Sequence, residues 1–294
     1  MPTPHMTTAP PVPARKPRDD EIDVYGLTHP GKVRPDNQDH FLLCQLRKQL
    51  VVRLTSLPDA DHLVTDGERL ASVAMVADGV GGGVKGAEAS RVALEAVTQY
   101  VSRSMHCYYA ASSADDQQFF DALQEGARTC HEELLRRGQE DADYRGMATT
   151  LTLFLGVWPR GYLLQVGDSR CYLLRDGKLT QITRDQTMAQ EMVDLGVMSA
   201  SEAARTPLAH TLSSSIGGRQ TDPKVTRFDL GWGHVILLCS DGLTRHVSDE
   251  QIRDVLGSMT SAQQACEELL KKALEGGGSD NITIVVGRAL PRDE

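Results

Sequence analysis

The chain predicts an α+β fold built on mostly antiparallel sheet. Three observations carry this. Apolar segments arrive as strands, then two helices, then a long series of strands. Asp176-Gly177 divides the two apolar runs of RCYLLRDGKLTQI (170–182), a strong hairpin signal. The regular βαβ alternation of a doubly wound sheet is missing, and no internal repeat is visible.

The elements follow in order. IDVYGLT (22–28) alternates like a strand. The turn-rich HPGKVRPDNQ leads to DHFLLCQL (39–46), a second strand with which VVRL (51–54) can pair. Residues 55–69 read as a polar loop. ASVAMVA (71–77) is a continuous apolar run ending at Asp78, the pattern of a buried strand. Helical spacing begins at 86 and runs to 104, with Ala89, Val92, Ala93, Ala96, Val97 and Tyr100 on one face. A second helix fits 115–138, its face formed by Phe119, Leu123, Ala127, Cys130, Leu134 and Leu135. TTLTLFLGVW (149–158), GYLLQVG (161–167), the 170–182 hairpin, HVILLCS (234–240) and NITIVVGRAL (281–290) return to strand character. Two short helices fit 186–206, and SDEQIRDVL and SAQQACEELLKKAL are two more near the end.

Composition narrows the function. Among 294 residues, 31 Lys and Arg against 40 Asp and Glu give a net charge of −9, which argues against a nucleic-acid or anionic-membrane surface. A phosphorylated substrate stays open, because bound metal reverses the local sign. The cysteines (44, 107, 130, 171, 239, 266) form no CxxC pair and mostly sit in apolar runs, so buried reduced thiols are expected. No run approaches the length of a membrane span. Residues 1 to about 20 are proline-rich without an apolar pattern and read as a disordered tail, and a cytoplasmic location is the default expectation.

MVADGVGGGVKG (75–86) has two readings: a phosphate cradle, or a turn beside a metal-ligating Asp78. Residues 81–86 formally match GxGxxG, but a lone match is weak. The next segment is a helix rather than a second parallel strand, and Lys85 is not followed by Ser or Thr. Asp39, Asp78, Asp168, Asp241 and Asp280 each stand at the start or end of an apolar strand. One such aspartate is ordinarily a turn former. Five on neighbouring strands would crowd, and divalent cations relieve crowded carboxylates. A set of oxygen donors without His or Cys favours Mg²⁺ or Mn²⁺.

The blocks RPDNQD, VADGVGGG, MATTLTL, VGDSRCYLLRDGKLTQIT, LSSSIGG, LLCSDGL and SDNITIVV, in this order, resemble the metal-dependent protein phosphatases of type 2C, most of all the bacterial serine/threonine members. The resemblance spans about 21–290, which it implies to be the catalytic domain, with a mobile flap at 186–215 and a short end at 291–294. It implies a four-layer α-β-β-α sandwich, two central antiparallel β-sheets flanked by helices. It implies two core Mn²⁺ or Mg²⁺ ions and a weaker third. By position, Asp78 resembles the carboxylate bridging two metals, the Gly79 carbonyl a ligand of the second ion, and Asp241 and Asp280 the other ligands of the first. Asp39 matches the acid that holds metal-bound waters. Asp168 matches the third ion's ligand, shared with Asp241, and Arg34 the arginine gripping substrate phosphate. The implied reaction is in-line hydrolysis of phosphoserine and phosphothreonine by an acidified water. The implied partners are phosphorylated proteins and a serine/threonine kinase with its substrates, with no nucleic acid, no membrane, and a monomeric chain.

Two departures stand out. Many bacterial relatives have a histidine five positions after the bridging Asp, where this chain has Gly83; neither His40 nor His62 matches a family position. The stretch 47–69 lengthens the path from Asp39 to Asp78. The alternative function is a non-catalytic module of the same fold, against which all the expected carboxylates weigh.

Overall fold

The computed structural model describes residues 15–50, 65–81, 84–103 and 116–292. Their strands form two antiparallel sheets. One has the order β1 (Ile22–His29), β11 (Ile282–Ala289), β10 (Val235–Cys239), β7 (Arg170–Arg175), β8 (Lys178–Gln181). The other runs β2 (Asp39–Leu50), β3 (Thr65–Val80), β5 (Leu151–Val157), β6 (Arg160–Val166), β9 (Lys224–Asp229), with the short β4 (Ala148–Thr149) on the end of β3. The α+β expectation and its paired sheets hold.

Three apolar layers bind the sandwich. Ala74, Val76, Leu163, Cys171, Ile236 and Leu238 meet between the sheets. Helices α1 (Val84–Arg103) and α2 (Asp116–Glu140) cover the β2–β9 sheet, through Ala89, Val92, Val97, Phe119, Leu123 and Leu134. Helices α6 (Asp249–Ser258) and α7 (Ala262–Glu275) cover the other sheet, through Ile252, Leu256, Cys266 and Leu269. A short α5 (Asp241–Thr244) leads into them. In β10, Val235, Leu237 and Cys239 face the helices while Ile236 and Leu238 face the other sheet. A strand buried on both faces has no polar positions to alternate with, hence its unbroken apolar reading. Each fully buried Leu or Phe contributes about 1.5–3 kcal/mol.

Several expectations need correction. Strand β3 starts at Thr65, so 65–69 are strand rather than loop, paired with a β2 that extends to Leu50. Apolar periodicity could not mark these arms, since they run past the core. The 51–54 strand and the rest of the loop lie outside the described residues. Strand β9 was not anticipated: KVTRFD is an edge strand, paired among the described residues only with β6, and its side chains are largely solvated. Leu135, expected on the buried face of α2, is exposed. Residues 15–20, assigned to the tail, lie against the sandwich, with Pro17 buried and Arg18, Asp19 and Asp20 exposed. Arg15 forks onto the buried Glu21 at 2.6 and 2.7 Å and lies over the Trp232 ring. Asp19 pairs with Arg69 at 2.6 Å and with Arg47. The rest of the tail, Cys107, His62 and Gly83 are outside the described residues. The other five cysteines are free, four of them buried.

Candidate active site

Five strand ends place the carboxylates at one rim of the sandwich. Asp39 opens β2 and is the direct cross-strand partner of Asp78, near the end of β3. Asp168 sits in the turn from β6 to β7; Asp241 follows β10; Asp280 precedes β11. Like charges directly opposed across a sheet destabilise it, so this pairing calls for a compensating charge.

Hydroxyls brace the rim. Asp39 is 2% exposed, and its Oδ2 accepts from Ser240 Oγ (2.6 Å) and Thr283 Oγ1 (2.8 Å), while Oδ1 has no donor in reach. Thr150 Oγ1 accepts from the Asp78 backbone N–H (3.0 Å) and meets Ser169 Oγ at 2.8 Å, which ties Asp78 to the Asp168 turn. Asn281 fixes the loop that carries Arg34: its Nδ2 donates to the Pro30 and Asp36 carbonyls (3.0 and 2.9 Å), and its Oδ1 accepts from Gln38 N–H at 2.9 Å. Sequence reading missed these residues, although Ser169, Ser240, Asn281 and Thr283 adjoin or lie near a candidate acid in sequence. The glycine-rich turn has its own cause. A Cβ on Gly79 would collide with the Gly86 carbonyl, so β3 and the start of α1 approach too closely for any side chain, and Gly81 has a φ of +129°.

The electrostatics favour a cation. Burial, then repulsion from Asp39, Asp241, Asp168 and Asp280, raises the Asp78 carboxyl well above the ordinary range. Burial pushes Asp39 up to about 6, opposed by the Ser240 and Thr283 hydroxyls. Burial, then Asp241 and Asp185, pushes Asp168 up to about 8. Asp241 is raised by burial, while Arg245 opposes. Ionised carboxylates held this way gain from hard divalent cations, and the orphaned Asp39 Oδ1 is a further oxygen donor, so the donor set fits Mn²⁺ or Mg²⁺. Among the described residues no three acidic, His or Cys side chains are yet closed into a metal-holding group. Arginines supply the positive charge instead. Arg34, expected to face substrate phosphate, places Nε and Nη2 on Asp280 at 2.8 Å each. Arg245, which sequence reading did not single out, donates from Nε to Asp241 Oδ2 at 2.9 Å, and its Nη1 forms an ion pair with Asp280 Oδ2 at 3.3 Å.

A cavity of about 480 Å³ opens here, lined by Arg34, Asp78, Gly79, Asp168, His210, Asp241, Arg245 and Asp280. An apolar cavity of about 290 Å³ elsewhere, beside Leu43, Phe154, Trp158 and Ile236, is lined by no carboxylate. The flap lies against the acidic cavity. Its α3 (Met188–Asp194) and α4 (Ala200–Ala203) are capped by Thr187 and Ser199, and a 3₁₀ turn, Pro207–His210, ends on His210. Met188 N–H to Thr211 O (2.8 Å) and Ser213 N–H to Gln186 O (3.0 Å) close its base. Its apolar face is small: Ala189 and Ala203 are buried, but Leu195 is 75% exposed. The histidine weighed in sequence, His40, instead pairs with Ser90 Oγ at 2.8 Å.

Residues 53–276 match the family model described as Protein phosphatase 2C. The chain belongs to that family. It is 35% identical over 221 residues to the serine/threonine protein phosphatase PstP of Mycobacterium tuberculosis, covering 74% of this chain and 40% of PstP. The chain thus spans well under half the length of that curated relative. The crystal structure of M. tuberculosis PstP/Ppp matches at a TM-score of 0.73 and 29% identity, over 92% of this chain and 99% of that one. The PstP catalytic domain in complex with two manganese ions matches at 0.67 and 29% identity, with the same coverage. Membership in the protein phosphatase 2C family accounts for both sheets and the outer helices, since the matched structures overlie nearly all of the chain.

Proposed function

We propose that this chain is a metal-dependent protein serine/threonine phosphatase. The observation that carries the reading is the single cavity in which Asp78, Asp168, Asp241 and Asp280 stand beside Arg34. Asp78, Asp241, Asp280 and the Gly79 carbonyl would hold the two ions, with Asp78 between them. Asp39, braced by Ser240 and Thr283, would orient water beside them. Two Mn²⁺ or Mg²⁺ ions there supply an acidified water nucleophile near neutral pH. The relative's two-manganese complex supports the number and the metal.

The protein's own groups do the rest. Arg34 is 51% exposed and contacts Asp280, so it is free to exchange that carboxylate for the phosphoryl oxygens of an incoming substrate. Among the described residues His210 is the one imidazole lining the cavity, and we assign it the proton for the departing serine or threonine oxygen. No cysteine among the described residues lines the cavity, and burial pushes the Cys130 and Cys239 thiols up to about 12. Among the described residues no helix is long and apolar enough to cross a membrane. The proposed setting is cytoplasmic signalling, a monomer reversing a serine/threonine kinase on phosphorylated proteins.

The arginines on Asp241 and Asp280 favour one other reading, a module that has exchanged metal for internal ion pairs. Phosphoserine, phosphothreonine and phosphotyrosine peptides with Mn²⁺ and with Mg²⁺ separate the two. The phosphatase reading expects turnover of the first two and a loss of at least about 10²-fold in Asp78→Ala. No turnover with either ion makes the chain a binding module.

A further inference from the structure

The two arginines at the rim differ in a way that bears on how many ions the site takes. Arg34 rides on a surface loop, half exposed. Arg245 is the residue after α5, four positions from Asp241, with a side chain only 26% exposed. Its Nε and Nη2 both go to Asp241 Oδ2, and its Nη1 reaches Asp280 Oδ2 at 3.3 Å. Its backbone N–H also donates to the Asp241 carbonyl at 2.9 Å, so the stem is fixed where the head must sit. The charge of Arg245 acts on Asp168 as well. Finally, Arg245, Asp168 and Asp241 line both the acidic cavity and the neighbouring one of about 360 Å³ beneath the flap, which places the guanidinium at the wall between them.

This is the place that the family resemblance gives to a third ion, shared by Asp168 and Asp241. We propose that Arg245 is a resident cation that substitutes for that ion, so that the protein binds two divalent ions and excludes a third. The inference rests on the metal-centre reading above.

Charge balance favours it. Five carboxylates face two arginines. Two divalent ions already bring the ionised cluster to one net positive charge, and a third would raise it to three beside a fixed guanidinium. Repulsion between like charges a few ångströms apart in a part-buried site opposes entry of that third ion. Oxygen supply points the same way, because Asp241 Oδ2 is already taken by two nitrogens of Arg245. Lysine at 245 would keep the charge; alanine would free both Asp241 Oδ2 and the space beside Asp168.

The test is ion counting rather than turnover. The full-length protein, its Asp168→Ala and Arg245→Lys forms, Arg245→Ala, and the Arg245→Ala/Asp168→Ala double variant are dialysed to equilibrium against saturating Mn²⁺. Bound metal is then measured by elemental analysis, with a thermal melt to verify folding. The expected counts are two ions per chain for the parent, Asp168→Ala and Arg245→Lys, three for Arg245→Ala, and two again for the double variant. Three ions in the parent overturn the proposal while leaving the metal centre intact, and that arm needs no variant to fold. A folded Arg245→Ala that still binds two also overturns it. A parent that binds none overturns the metal-centre reading itself, and this proposal with it.

Discussion

Asp168 shows what a metal-free centre costs. Its carboxyl is pushed up to about 8 by burial and by Asp241 and Asp185, against about 3.9 in an unfolded chain. A group whose pKa is higher in the folded state stabilises the fold fully below the unfolded value, and that contribution is lost as pH rises through the folded value. Asp39, pushed up to about 6, has the same sign. The metal-free protein is therefore predicted to lose stability between about pH 4 and 8. Denaturant titrations in chelator should show that slope, and Asp168→Asn should flatten its upper part. A stability that rises with pH over this range would mean that these carboxylates are not strained. His210 gives a second prediction. Protonation matters for a poor leaving group such as serine and little for an aryl oxide. His210→Gln should thus slow phosphopeptide turnover by about 10²-fold and leave an aryl phosphate nearly unchanged. Equal loss on both would move His210 out of the proton path. The acids were legible in the sequence because each stands at the start or end of an apolar run. Arg245 and His210 were not. Arg245 matters through a fold back onto Asp241, four residues away on one helical turn, and His210 through a flap whose placement no local pattern encodes.

At the scale of elements, legibility followed burial. Strands β10 and β11, buried on both faces, and helices α1 and α2, with one apolar face each, could be read directly. Strand β9 could not, since an edge strand paired on one side keeps Lys224, Thr226 and Arg227 in solvent. The β2–β3 arms beyond Leu46 are likewise held by ladder bonds rather than by core contacts. The flap is the least buried element at the site. Only Ala189 and Ala203 anchor its helices, while Leu195 and Val197 face outward, 75% and 65% exposed. Few buried contacts make local opening inexpensive. These outward apolar groups are predicted to contact a folded phosphoprotein rather than a short peptide. Leu195→Ser with Val197→Ser should weaken kcat/KM on a phosphoprotein several-fold, with phosphopeptide and aryl phosphate rates preserved. Proportional loss on all three substrates would show that the flap acts on the chemical step.

For the whole molecule, one design places charge where two sheets end together. The sandwich buries its apolar surface in three layers and leaves the strand ends at one rim free to carry acids that no core would accept. Five carboxylates, two arginines and bracing hydroxyls then form a site whose repulsion is relieved by cations. The central claim is that the nucleophile depends on those cations. The most direct measurement is phosphothreonine-peptide turnover by the full-length protein after exhaustive chelator treatment, followed by stepwise return of Mn²⁺. The account predicts turnover at background in chelator and recovery as Mn²⁺ saturates, in parallel with a rise in melting temperature. Full turnover in excess chelator, with bound metal shown to be gone, would contradict it.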